Sequence, residues 1–105
     1  MDAQRAFELG AEYLEKKNLD NALIAFQETV RIDPSFAQGY NGLGVTYSLL
    51  GEYPKALLAC CEAIRLDPKE PEFYRARGYV YERMGDEAAA EADLAKAEAL
   101  EAAQG

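Results

Sequence analysis

Displaced by thirty-four residues, the chain lies over itself. Gly10, Gly44 and Gly78 share one position of the period, and Tyr13, Tyr47 and Tyr81 a second. Ala22, Ala56 and Ala90 share a third, and Phe26, Cys60 and Leu94 a fourth. Asp33-Pro34 matches Asp67-Pro68 at the same spacing, and no insertion interrupts it. A fixed period of this length means a supersecondary unit that cannot bury its apolar face alone and does so by stacking on copies of itself. Three copies in 105 residues are about the smallest number that makes a continuous core.

Within each copy the apolar residues recur at helical spacing, and short breaks divide the chain into six helices. The first is expected from Ala3 to Lys16 with Asp2 as its cap, and the second from Asp20 to Ile32 after a turn at Asn18. Asp33-Pro34 stops the second helix, because proline disfavours helical backbone in the residue before it. Ser35 and Gln38 fit a capping box at the start of the third, and Gly51 closes it. Pro54 suits the first turn of the fourth helix, where its missing N–H costs nothing, and Pro71 opens the fifth in the same way. Gly85 ends the fifth, and Asp86 caps the sixth, which runs to about Ala103. No room remains for a sheet. Helix axes approach closely only where crossing residues are small, so Gly10, Gly44 and Gly78 are each expected to face the alanine of their own pair, Ala22, Ala56 or Ala90.

The order Tyr40, Leu43, Gly44, Tyr47, followed by Ala56 and Pro68, resembles the tetratricopeptide repeat (TPR). The resemblance covers units at about 3–36, 37–70 and 71–104, hence 1–105 as a single domain. It implies an all-α, right-handed solenoid of three helix-turn-helix units, six antiparallel helices in all, with the first helix of each unit lining a concave groove. Projected onto this chain, that face carries Gln4, Phe7, Ala11 and Leu14, then Gln38, Asn41, Val45, Ser48 and Leu49, then Glu72, Arg75, Tyr79, Glu82 and Arg83. Phe7, Leu14, Val45, Leu49 and Tyr79 are its candidate apolar anchors, and Asn41, Arg75 and Arg83 its candidate holders of a backbone or a carboxylate. Packing between neighbouring helices is the competing role, at least as strong for Leu14 and Leu49.

The function implied is a non-catalytic protein-protein interaction module that binds a peptide segment or helix of a partner protein in a mixed, near-neutral groove. Family members that hold the acidic tails of chaperones use Lys and Asn in the first unit, Asn in the second, and Lys and Arg in the third. Phe7, Ala11, Gly42, Glu72 and Ala76 occupy the matching positions here, so that carboxylate clamp is absent and a chaperone-tail cochaperone is disfavoured.

Both ends of the repeat array are polar. Leu23 and Val30, then Leu57 and Ile64, are apolar where the next unit must stack, whereas their third-unit equivalents are Glu91 and Glu98. Burying those carboxylates unpaired would be costly, so the last helix is expected to cap the stack itself. Arg5 and Glu12 make the opposite face polar. A complete three-unit module that is monomeric is therefore expected, with self-assembly into a homo-oligomeric scaffold as the alternative.

Composition removes other classes. The net charge of -8 opposes nucleic-acid or anionic-membrane surfaces, whose ligands are met by clustered Lys and Arg. No histidine is present, which removes Ser-His and Cys-His nucleophiles and the commonest metal ligand. Cys60-Cys61 has no further Cys or His to complete a metal set, so no metal, cofactor or catalytic residue is expected; a small redox or ligand-binding role for that pair is the remaining chemical alternative. The absence of a long apolar run or a secretory start points to the cytoplasm. Two positions break the repeat: Ala6 replaces the aromatic of Tyr40 and Tyr74, and Arg77 stands where Leu9 and Leu43 stand, so Arg77 needs a carboxylate or a route to solvent.

Overall fold

Side-chain caps start most of the helices. The Asp2 carboxylate accepts the Arg5 N–H at 2.8 Å, Asn18 accepts from Asn21, Glu70 from Glu72 and Asp86 from Ala89. In the computed structural model, which describes residues 1–105, these caps and the first-turn prolines Pro54 and Pro71 yield six helices and no strand. They are α1 (Ala3–Glu15), α2 (Leu19–Ile32), α3 (Ala37–Leu49), α4 (Tyr53–Leu66), α5 (Pro71–Met84) and α6 (Glu87–Gln104).

Two turns differ from the sequence-based expectation. Asn18 caps α2 directly, and the left-handed residue of the α1–α2 turn is Lys17, at φ 60°. Its equivalents one and two periods on are Gly51 and Gly85, at φ 81° and 84°. A side chain in that region costs about 1 kcal/mol that glycine does not incur. Lys17→Gly is accordingly expected to raise the melting temperature by about 4 °C, measured by circular dichroism; an unchanged or lower value would remove the assigned strain. The capping box at Ser35 and Gln38 does not form. Asp33 captures both the Ser35 N–H (3.0 Å) and the Ser35 hydroxyl (2.7 Å), so Ser35 belongs to the turn and α3 begins at Ala37 without a side-chain cap. Asp67 holds the Lys69 N–H in the same way.

Within the stack, α1–α2, α3–α4 and α5–α6 form antiparallel pairs, with α2 against α3 and α4 against α5. Neighbouring first helices also touch, α1 with α3 and α3 with α5, whereas α2 does not reach α4, nor α4 α6. The first helices therefore converge and the stack bends around them, which puts α1, α3 and α5 on the inner wall.

The repeated glycines make room for a different neighbour from the one expected. A Cβ on Gly10 would lie 2.5 Å from the Phe26 ring, and one on Gly44 would lie 2.5 Å from Cys60 Sγ. The side chain met is thus the residue one turn beyond the alanine. Gly44 and Gly78 meet their alanines only at the carbonyl oxygen, 3.4 and 3.3 Å from the added Cβ. Phe26 needs a second opening, supplied by Gly42, whose Cβ would stand 2.6 Å from the same ring. The third occupant of this position, Leu94, is 40% exposed because no further helix covers α6. Glu91 and Glu98 are exposed on that helix, and Arg5 pairs with Glu8 and Glu12 on the opposite end face.

Arg77 finds its carboxylate in Asp93. The two form a bidentate pair, Nε to Oδ2 at 2.9 Å and Nη2 to Oδ1 at 2.8 Å, with the Asp93 side chain only 8% exposed. Hydrogen bonding to Asp93 raises the guanidinium above its ordinary pKa against the opposing effect of burial, and the Tyr74 ring lies 5.9 Å away. Asp93 occupies the repeat position of Ala25 and Ala59. The Leu–Ala contact pattern of the first two units is therefore replaced by Arg–Asp in the third.

Candidate protein-binding groove

The inner wall holds two adjoining clefts. The first, about 460 Å³, is lined from α1 by Phe7, Ala11 and Leu14, from α3 by Gln38, Asn41 and Val45, and from the far side by Glu72. The second, about 470 Å³, shares Asn41, Val45 and Glu72 and adds Leu49, Arg75, Tyr79 and Glu82. One continuous groove thus crosses all three units, with Asn41 and Val45 at its middle.

Three of the residues projected onto this face lie elsewhere. Gln4 is exposed on α1 and hydrogen-bonds Glu8 (3.4 Å). Arg83 flanks the groove, donating to the Tyr79 hydroxyl at 3.1 Å with its guanidinium 5.6 Å from that ring. Ser48 is buried, 1% exposed, and offers nothing to a ligand. It follows Gly44 by one helical turn and so shares the stripe that meets α4.

The lining also contains residues that projection of the first helices missed. Phe26 and Gly42 form part of the floor of the first cleft, while Glu15, Glu70 and Phe73 complete its walls; Ala76, Gly78 and Leu94 complete the second. Glu70 lies in the turn before α5, beyond the reach of a helical-face argument, although Pro71 marks it as the cap of that helix.

The electrostatics of the groove are not neutral throughout. Arg75 ion-pairs with Glu72 (3.1 Å) and with Glu101 of α6, so its charge is already matched and it is not a free holder of a carboxylate. Glu15 and Glu70 form no ion pair, and no Lys or Arg lines the first cleft. That half of the groove is acidic around an apolar floor. At the junction of the clefts, the Asn41 Oδ1 is buried without a hydrogen-bond partner. Buried in this way, it is closed to water and to a ligand N–H alike, as is the unpaired Ser48 Oγ.

The two adjacent thiols differ in environment. Cys60 is fully buried, and burial first, then the neighbouring Cys61, pushes its thiol up to about 12, so it stays protonated near neutral pH. Cys61 is exposed, with Arg77 Nη1 at 3.5 Å from its sulfur. No helix is long and apolar enough to cross a membrane.

The outer face carries a repeated feature of its own. A notch of about 260 Å³ is lined by Leu9, Ile24 and Ala25, and a second of about 380 Å³ by their equivalents Leu43, Leu58 and Ala59. Ile24 is 62% exposed and Leu58 74%. In the third unit the Arg77–Asp93 pair takes the corresponding place, with Lys96 Nζ 6.0 Å from the Tyr74 ring.

Models of known families match along the chain: one described as tetratricopeptide repeat over residues 3–36 and 71–104, another of that description over 25–58, and one described as TPR repeat over 47–85. Among solved structures, the TPR2B domain of yeast Sti1 in complex with pHsp70 is 28% identical, with a TM-score of 0.91 over 95% of this chain and 80% of that one. PcrH, solved with the chaperone binding region of PopD, is 29% identical, with a TM-score of 0.88 over 95% of this chain and 75% of that one. A crystal structure of MamA is 26% identical, with a TM-score of 0.88 over 98% of this chain; the chain spans 60% of the length of that protein's chain. No curated protein sequence matches the chain.

Proposed function

The chain belongs to the tetratricopeptide repeat family, and on that footing we propose that it is a non-catalytic, monomeric interaction module whose concave groove holds a segment of another protein. The observation that carries this reading is the continuous groove over three units, with Val45 and Tyr79 as apolar contacts and Asn41 shared by both clefts. Two structures it resembles, those of the Sti1 domain and of PcrH, are complexes with protein partners, which supports the same use here. An acidic chaperone tail does not suit the groove, because Phe7, Ala11, Gly42, Glu72 and Ala76 stand at the clamp positions and Glu72 would repel a carboxylate.

A few anchors dominate such interfaces, at about 2 kcal/mol or more each. The combined variant Asn41→Ala, Val45→Ala, Tyr79→Ala is therefore expected to weaken capture of the partner by at least about tenfold, with helicity unchanged by circular dichroism. Phe7 is left intact because its ring touches Phe26 and Phe36, at centroid distances of 5.8 and 5.4 Å, and its loss would disturb packing as well. The second reading is self-assembly, favoured by the repeated outer notches with exposed Ile24 and Leu58. It requires a sedimentation coefficient that rises with protein concentration, and a loss of partner binding confined to Ile24→Ala, Leu58→Ala would transfer the function to the outer face.

A further inference from the structure

We infer that the segment held in the groove is basic as well as apolar, with Lys or Arg side chains alternating with large apolar ones; this rests on the concave groove being the binding site. The floor of the first cleft is apolar, built from Phe7, Leu14 and Val45. Of the carboxylates on its walls, Glu15 and Glu70 form no ion pair, and Glu72 pairs only with Arg75, which Glu101 also holds. The excess of carboxylates around this cleft thus favours a cationic occupant.

A segment that enters the cleft strips water from those carboxylates. Opposite a neutral or acidic side chain the lost hydration is not replaced, whereas a Lys or Arg head group replaces it with a charge-assisted hydrogen bond. The aliphatic stems of Lys and Arg also cover apolar surface while their heads reach the walls. An extended segment sends successive side chains to opposite sides, so alternate apolar residues meet the floor while the intervening basic ones approach Glu15 and Glu70. This chemistry is the reverse of an acidic tail held by lysines and arginines.

The test uses the full chain and three dye-labelled, acetylated and amidated short peptides of alternating Leu/Lys, Leu/Glu and Ser/Lys, titrated by fluorescence anisotropy. The Leu/Lys peptide is expected to bind at least about tenfold more tightly than either of the others. The double variant Glu15→Gln, Glu70→Gln is expected to weaken it by about tenfold, while Glu87→Gln, Glu98→Gln, the same change of charge on α6, leaves it unaltered. Val45→Asp, and independently Tyr79→Ala, should weaken binding as well. Equal binding of Leu/Lys and Leu/Glu, both lost in Val45→Asp, would overturn the basic requirement and leave the groove as the site. Leu/Lys binding that is indifferent to both Val45→Asp and Tyr79→Ala would overturn the groove with it. Failure of all three peptides, or occupation of the groove by a second copy of the chain in sedimentation, would overturn the basic segment as its occupant.

Discussion

Asp93→Ala is expected to lower the stability of the fold by about 3 kcal/mol, and adding Arg77→Leu to the same chain is expected to restore it. The single change removes both oxygens that accept from the Arg77 guanidinium and leaves that charge beside Tyr74 and α6 with its side chain only 23% exposed. The partial opening to water keeps the loss near the lower end of the range for broken buried pairs. Arg77→Leu alone strands the more deeply buried Asp93 and should cost about as much. The double variant recreates the Leu–Ala combination of Leu9 with Ala25 and of Leu43 with Ala59, which the other two units already pack. Urea unfolding of the four chains decides this. A double variant no more stable than either single would contradict it.

Phe26→Ala is expected to cost about 3–4 kcal/mol, within the range for loss of a core aromatic. The ring fills the space that Gly10 of α1 and Gly42 of α3 leave open and packs tilted on Phe7, so it ties the first unit to the second. The informative comparison is the sign of a second change. In the parent chain Gly10→Ala and Gly42→Ala would each drive a Cβ to about 2.5–2.6 Å from the ring and should destabilise. In the Phe26→Ala background the same two changes fill part of the vacated space and should stabilise. Glycine substitutions with one sign in both backgrounds would show that the ring and the glycines are not coupled.

These two sites mark the boundary of what periodicity reveals. The helices, their proline and glycine ends and the pairing of units follow from residues that recur, and one family model matches over the first and third of the same units. Gly42 does not recur: its equivalents are Glu8 and Ala76, so a search for repeated glycines passes over the one that makes room for Phe26. Arg77 shows that a carboxylate is needed, and the signal for which one was a second break in the repeat, Asp93 in place of Ala25 and Ala59. The capping box at Ser35 failed because Asp33, two residues earlier, competes for the same serine.

Within the groove, helical projection and the lining of the clefts coincide at most of the projected positions because α1, α3 and α5 are regular. It misplaced Ser48, on the stripe that turns toward α4, and could not reach Glu70, which belongs to a turn. The charge of the groove was less legible still. The i,i+3 pair of Arg75 with Glu72 is readable from helical spacing, whereas its second partner, Glu101, is brought onto it only by the return of α6.

Backbone amide shifts recorded by NMR while a captured partner segment is titrated into the chain report directly on which wall of the stack meets it. The inner-wall assignment requires the shifts to cluster at Ala11, Asn41, Val45 and Tyr79, across all three units, with Ile24 and Leu58 unmoved. Shifts confined to Ile24, Leu58 and the outer notches around them, with the inner wall silent, would contradict it.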